Sequence, residues 1–249
     1  MFEKSLADIY DSQASKFSST RRKHRPEMEY IVWTIVKQSL NNSWTIDVLE
    51  VGCGDGRLVE AISEKLEAKS FHYTGVDISQ WLLTIAQDQN PTRTFVQSDM
   101  ISYLQSLKQG SIDIIVGIAS VQHLFPKKTR EEFFAQAKRI LKPWWILMLT
   151  NRARSDWAKE KYARGREFHL RQRIQTGAKR TSGDQMIPRI DPDTRETHQR
   201  YYHFFSLPEL QSHLDSEREI RTLDYIDRDG SLTSSVRLAR NSLVIASKT

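Results

Sequence analysis

"LEVGCGDGRL", residues 49–58, sets glycines at the alternate positions 52, 54 and 56, between an apolar run and a helix-like stretch. The run before them, "IDVLEV" (46–51), is short, mostly apolar and partly β-branched, which predicts a buried parallel strand. The stretch after them, "RLVEAISEKLEAK", spaces its apolar residues as a helix does. A strand that enters a helix through glycines lets a ligand approach the backbone with no Cβ in the way. A dinucleotide corner would complete G-x-G-x-x-G and cradle a pyrophosphate on the helix N-terminus. Here the glycines run G-x-G-x-G, and Arg57 stands at the longer spacing. Glu50, two residues ahead of the first glycine, would repel a pyrophosphate but could hold an ammonium group, directly or through water. The pattern fits a nucleoside that carries an amino-acid tail and no phosphates. S-adenosylmethionine is such a molecule.

Further acids fall where that ligand needs them. "FHYTGVDI" reads as a second strand ending at Asp77, whose carboxylate can accept from both ribose hydroxyls. "RTFVQSD" reads as a third strand ending at Asp99, placed to accept from an adenine amino group, with Met100 against the ring. Cys53, Gly56, Ile78 and Ile118 complete the expected cofactor set with Glu50, Gly52 and Gly54. Each acid alone could be an ordinary turn residue at a strand end. Their order behind a glycine corner is what carries the reading.

Beyond these, "QWLLTIAQDQ" predicts a helix ended by Pro91, "SIDIIVGIA" a fourth strand, "TREEFFAQAKRILK" an amphipathic helix and "WWILMLTN" a fifth strand. Strands alternating with helices predict a doubly wound, Rossmann-like α/β fold, a mostly parallel sheet with helices on both faces. "SLPELQSHLDS" predicts a helix with Ser206 as N-cap and Glu209 completing a capping box. "EIRTLDYID" and "NSLVIASK" predict two last strands, joined by a link too short for a crossover helix and therefore antiparallel.

The 249 residues are 39% hydrophobic and 27% charged, ordinary for one globular domain spanning 1–249. No apolar run approaches the ~18 residues of a membrane span, and the N-terminus lacks the order of a signal peptide. Cys53 is the single cysteine, which excludes an internal disulfide and argues against a thiolate metal site. A cytoplasmic protein without a membrane partner is expected.

The +6 net charge is unevenly placed. Between positions 152 and 200 thirteen Lys and Arg face seven Asp and Glu, a surplus equal to that of the whole chain. This polar segment, broken by Gly165, Gly177, Gly183, Pro188 and Pro192, reads as an insertion suited to a polyanion. Arg21, Arg22, Arg152, Arg154, Arg164, Arg166, Arg171 and Arg173 are the candidate phosphate contacts, which makes RNA the expected partner. Trp157, Tyr162, Phe168, Tyr201 and Tyr202 either stack on bases or pack a helix onto the sheet. Residues 1–40 read as an N-terminal helical segment. It either closes over the cofactor, with Tyr10, Phe17 and Arg21 facing it, or packs on the sheet edge.

The run from 48 to 150 resembles the class I S-adenosylmethionine-dependent methyltransferases, with "VLEVGCGDG", "GVDIS", "QSDM" and "RILKP" in order. That resemblance implies a seven-stranded sheet whose last strand is antiparallel. The family usually follows "LKP" with a glycine pair, where Trp144 and Trp145 stand here. "YDSQASKFSSTR", "RYYHFFSLPEL" and "ARNSLVIASK" are similar to a narrower group, the tRNA methyltransferases that esterify the carboxymethyl group of wobble uridine. Two pieces depart from that group. "KHRPEMEY" stands where a tryptophan-proline pair is usual, and Gln122 and His123 stand where two histidines are usual. The resemblance implies a tRNA acceptor bordered by His123, Tyr202 and His203, and a possible small activator subunit, as eukaryotic members of the group have.

A carboxylate acceptor is already ionised at neutral pH and needs no general base. A hydroxyl or ammonium acceptor would need one, and His123 is the best-placed residue. A small-molecule O- or N-methyltransferase of the same fold, and a catalytically silent binding partner, are the alternatives.

Overall fold

The computed structural model describes residues 11, 26–42, 44–67, 70–155, 182–190, 195, 197–214, 219–227, 229–235, 237 and 239–247. The elements, in order, are α1 (Pro26–Asn41), β1 (Ile46–Val51), α2 (Arg57–Ser63), β2 (Phe71–Asp77), α3 (Gln80–Gln89), β3 (Thr94–Gln97), α4 (Met100–Ser106) and β4 (Ile112–Ile118). A 3-10 turn, Val121–His123, leads to α5 (Lys127–Ile140) and β5 (Leu141–Arg152). Then come β6 (Asp184–Ile190), β7 (Thr197–His203), α6 (Leu207–His213), β8 (Glu219–Ile226), β9 (Leu232–Thr233) and β10 (Asn241–Ser247).

Alternation along the strands decides the layers. In β1, Ile46 and Val48 turn to one face and join Met28, Ile31 and Ile35 of α1 and Leu58 and Ile62 of α2. Leu49 and Val51 turn to the other and meet Leu104 of α4, Phe133 and Ile140 of α5 and Leu210 of α6. A strand buried on both sides needs apolar residues at nearly every position, which is why β1 reads as a continuous run. The main sheet runs β3-β2-β1-β4-β5-β10-β8-β9. β3, β2, β1, β4 and β5 are parallel, and β10 enters antiparallel to both β5 and β8, as the C-terminal reading expects.

Three features differ from the sequence reading. The sheet has eight strands instead of seven, because the link between β8 and β10 contributes the two-residue β9. α4 is a short helix that periodicity does not reveal in seven residues, although Asp99 caps it. Where the sequence reads a basic insertion over 152–200, β6 and β7, the latter running on to His203, form a separate two-stranded ribbon, with Pro188 opposite Gln199. Proline reads as a breaker, but each strand of a two-stranded ribbon is an edge, where its missing N–H is tolerated.

No helix among the described residues is long and apolar enough to cross a membrane.

Candidate active site at the carboxyl ends of β1, β2 and β4

From β1 the chain runs to β2 and β3 on one side, then crosses back to place β4 on the other side of β1. The crevice beyond the ends of β1 and β4 is therefore the point where strand order reverses, the usual ligand position in such sheets. The glycine corner lies there. Gly52 has φ +72°, and a Cβ on it would stand 2.3 Å from the Cβ of Ser120, just past β4. The backbones of β1 and β4 meet so closely that only glycine fits.

Hydrogen bonds fix the corner to β2. The N–H groups of Gly52 and Cys53 both donate to the Val76 carbonyl, at 2.7 and 3.1 Å. Asp77 accepts from Gly54 N–H at 2.9 Å on one oxygen and from Ser79 N–H at 3.0 Å on the other. Burial raises its pKa, and these backbone donors offset only part of the rise. Each oxygen keeps a second lone pair, so the carboxylate can still accept from a diol. No atom of the described residues lies within 4 Å of where a Cβ at Gly54 would stand, so among them the backbone there faces space that a ligand can fill.

Glu50 is 3% exposed and accepts from the Tyr73 hydroxyl at 2.5 Å. Burial pushes its pKa up to about 8 against the lowering effect of that hydrogen bond. Glu50 is thus protonated near neutrality until a cation pairs with it. Cys53 is buried, which pushes its thiol well above the ordinary range, so it is a packing residue at the corner. Asp99 caps α4, accepting from Ile101 and Ser102 N–H at 3.1 and 3.0 Å. Burial raises its pKa, but hydrogen bonds from Ser102 and Ile101 outweigh this and leave it lowered. Met100 packs against the α4–α5 side of the core and Ile118 against the α1–α2 side. Gln97 Nε2 donates to the Ile78 carbonyl at 3.4 Å.

The turn after β4 leads to the ribbon. Gln122 is buried and accepts from Arg152 N–H at 2.7 Å, tying the turn to the end of β5. His123 Nδ1 lies 2.9 Å from the Tyr201 carbonyl and must carry the proton there, since a carbonyl only accepts. Its ring meets Tyr202 edge-on, with centroids 4.4 Å apart. The structure thus brings His123 and Tyr202 together, on the turn after β4 and on the ribbon. Tyr201 and Tyr202 are both buried, so of the two readings for these aromatics packing is the one they follow.

His203 lies elsewhere, deep under the ribbon. It is 1% exposed, with Nδ1 2.7 Å from Asp184 and Nε2 2.8 Å from Glu209. Burial pulls its pKa down, and the two carboxylates more than offset this, leaving it raised. Arg130, fully buried, donates to the Tyr201 hydroxyl at 2.7 Å and lies 3.6 Å from Asp184. Asp184 also accepts from that hydroxyl at 2.5 Å. This cluster anchors the ribbon to α5 and α6. Sequence reasoning missed Arg130, Asp184 and Glu209. One signal was available: Arg130 shares the apolar stripe of α5 with Phe133, Phe134 and Ala137, at helical spacing.

Arg152 and Arg154 stand at the end of β5, with Arg154 donating to Ser182 at 2.9 Å. Tyr10, Phe17, Arg21, Arg22, Trp157, Tyr162, Arg164, Arg166, Phe168, Arg171 and Arg173 lie outside the described residues.

The methyltransferase domain family matches residues 48–144, from within β1 and its glycine corner to the first residues of β5. A protein of Encephalitozoon cuniculi, provisionally named a methyltransferase, is 25% identical over 92% of this chain and 93% of its own length. The mouse tRNA (carboxymethyluridine(34)-5-O)-methyltransferase ALKBH8 is 26% identical over 57% of this chain and 19% of its own. Among solved structures, the Burkholderia thailandensis 1,6-didemethyltoxoflavin-N1-methyltransferase with bound S-adenosylhomocysteine shares the fold, with a TM-score of 0.59 at 15% identity over 98% of this chain and 87% of that one. Residues 48–144 thus carry a methyltransferase domain, in a fold held in common with S-adenosylmethionine-dependent methyltransferases.

Proposed function

We propose that the acceptor is RNA, and within it the carboxymethyl group of a modified wobble uridine in tRNA. The observation that carries this reading is the basic surplus of residues 152–200, inserted directly between β5 and the α6–β10 end of the fold. Arginines and lysines that neutralise phosphates supply RNA affinity through counterion release. The alignment with the mouse tRNA enzyme supports the choice of acceptor. A carboxylate attacks the sulfonium methyl without a base, so the chain mainly orients the two reactants. His123, its Nδ1 proton held by the Tyr201 carbonyl, and Tyr202 would orient the acceptor. His203 would serve them from below, by holding the ribbon. The test is incubation of labelled cofactor with bulk tRNA. Label should enter RNA and be released by mild alkali, as a methyl ester is. Reversing Arg164, Arg166, Arg171 and Arg173 to glutamate should raise the KM for tRNA tenfold or more, as an order-of-magnitude expectation at ~0.15 M salt. Cofactor affinity should not change.

Glu50, Gly52, Gly54, Asp77, Asp99 and Met100 would hold the cofactor, which supplies an electrophilic methyl on sulfonium. Glu50 makes its binding pH-dependent. Its carboxyl is protonated below about pH 8 and must ionise to pair with the ammonium of the methionine tail. Affinity should therefore rise about tenfold per pH unit between roughly pH 6 and 7, then level off as an α-amino group itself titrates near ~7.8. Glu50→Gln should remove that slope in calorimetry, and a slope retained by the variant would refute the assignment.

The N-terminal segment divides into two parts. α1 is core, through Met28, Ile31, Val32 and Ile35. Asp11 reaches the other end of the sheet, accepting from the Ser79 hydroxyl and from Trp81 N–H at 3.3 Å, beside Asp77. That contact supports a cover over the cofactor for the residues before α1. A cytoplasmic setting fits the single buried thiol.

A small-molecule acceptor is the second reading. The burial of Tyr201 and Tyr202, which removes two of the candidate stacking platforms, favours it. Label transfer to a metabolite pool, unaffected by the four arginine reversals, would establish it.

A further inference from the structure

Gln122 stands where the wobble-uridine group usually has a histidine, and its tie to β5 accounts for only half of its amide. It is 2% exposed, and Arg152 N–H meets the end of its side chain at 2.7 Å. A backbone N–H can only donate, so the atom it meets must be the amide oxygen, and the amide nitrogen turns away from the β5 backbone. Among the described residues nothing accepts from that nitrogen.

Two neighbours share this condition. Ser120 Oγ, at the start of the same turn, is buried without a partner among the described residues. So are both ends of the amide of Asn151, the residue before Arg152. Buried polar groups are paired in nearly every case. Three that are not, gathered at the carboxyl ends of the adjacent strands β4 and β5, mark a place where a polar ligand completes the bonding. The turn also joins the two halves of the site. At its start Ser120 lies against Gly52 of the corner, and at its end His123 meets Tyr202. Gln122 lies between them. Ala119, just ahead, holds φ +53°, a conformation that a residue with a Cβ keeps only where its surroundings impose it.

We propose that Gln122 is a specificity-determining residue whose amide N–H groups bind one oxygen of the acceptor carboxylate, leaving the other oxygen free to react. This rests on the carboxylate reading of the acceptor. A histidine at this position would gain and lose a proton with pH. The glutamine amide accepts from Arg152 and donates to the acceptor at once, without titrating.

The test is the affinity for the carboxymethyluridine nucleoside, and for uridine as its control, by NMR titration of the whole chain without cofactor. The wild-type chain should prefer the carboxylate. Gln122→Leu should weaken its binding about tenfold or more, the usual loss when a hydrogen bond to a charged group is removed. Gln122→Glu keeps an oxygen for Arg152 N–H but has no N–H to give, so it should lose at least as much at about pH 9. A glutamic acid donates once protonated, so that loss should ease towards about pH 6 while the Leu variant's stays flat. Both variants should keep wild-type affinity for S-adenosylmethionine. A wild-type chain with no preference over uridine overturns the carboxylate reading and this inference with it. A clear wild-type preference that Gln122→Glu matches at every pH overturns this inference alone, since Gln122 then serves only as the tie to β5. So does a parallel loss of cofactor affinity in both variants, which would mean that the turn has collapsed.

Discussion

An Asp184→Ala chain should lose about 3–5 kcal/mol of folding stability near pH 6, the usual cost of stripping one partner from a buried charge cluster. Asp184 receives the Tyr201 hydroxyl at 2.5 Å and His203 Nδ1 at 2.7 Å, with Arg130 at 3.6 Å. Both ring nitrogens of His203 face carboxylates, so the ring must carry two protons. Without Asp184, the buried Arg130 and His203 lose a carboxylate that faces them both.

The pH dependence follows from the same groups. His203 has a raised pKa, so its contribution is complete below the unfolded value of 6.5 and is lost as pH climbs through the folded value. For Glu209, burial raises the pKa but the His203 hydrogen bond and charge lower it further. Its contribution is therefore present above 4.5 and fades as pH falls through the folded value. The gap between wild type and Asp184→Ala should be widest between those limits and narrow on the alkaline side, where a neutral His203 no longer requires its carboxylate. Urea unfolding at about pH 6 and about pH 9 checks this. A cost below ~1 kcal/mol at the lower pH would mean that the cluster relaxes without Asp184 and does not anchor the ribbon. Asp184→Asn, which keeps an acceptor oxygen and loses the charge, should fall between the two.

What sequence could reveal divides along the range of the interactions involved. The β1 corner was legible because every constraint on it is local: an apolar run, glycines with φ of +72°, +57° and +78°, then helical spacing. Ser206 was legible as an N-cap for the same reason, and it accepts from Glu209 N–H at 3.3 Å. The other half of the expected capping box failed, since the Glu209 carboxylate turns to His203 instead, a partner on the ribbon. The ribbon itself was hidden by Pro188 and by a basic composition that resembles a loop. Asp77 and Asp99 were placed correctly at strand ends, but the backbone donors they receive follow from turn geometry that residue types do not specify. The insertion of β10 between β5 and β8 is set by contacts between distant segments, and only its antiparallel pairing with β8 could be inferred from the length of the link.

The glycine corner supplies the second large effect. Gly52→Ala should weaken S-adenosylmethionine binding by roughly two orders of magnitude and also destabilise the fold. An L-residue at φ +72° costs about 1–2 kcal/mol. The added Cβ also meets the Cβ of Ser120 at 2.3 Å, an overlap that no rotamer change relieves. Forcing such a methyl into a packed site costs about 1–3 kcal/mol more; a free corner that shifts to escape this strain must take it up again when the cofactor binds, and at ~1.4 kcal/mol per tenfold the sum spans about thirty- to several thousandfold. Ser120 cannot simply yield. Its carbonyl accepts from His123 N–H at 3.0 Å, and the preceding Ala119, itself at φ +53°, donates to the Thr150 carbonyl at 2.8 Å. Any shift of Ser120 therefore moves the turn that carries His123. Gly54→Ala isolates the conformational part, because φ there is +57° and a Cβ would meet no atom of the described residues within 4 Å. It should leave the melting temperature within a few degrees of wild type yet lower cofactor affinity, since its methyl enters the space the cofactor needs. Adding Ser120→Gly to Gly52→Ala removes the overlapping atom and should restore the packing share of the loss, but not the backbone share. Calorimetric titration with the cofactor and thermal unfolding of all four chains separate these contributions. If the double variant recovers nothing, the close approach of β1 to the β4 turn is not what glycine at 52 is there to permit.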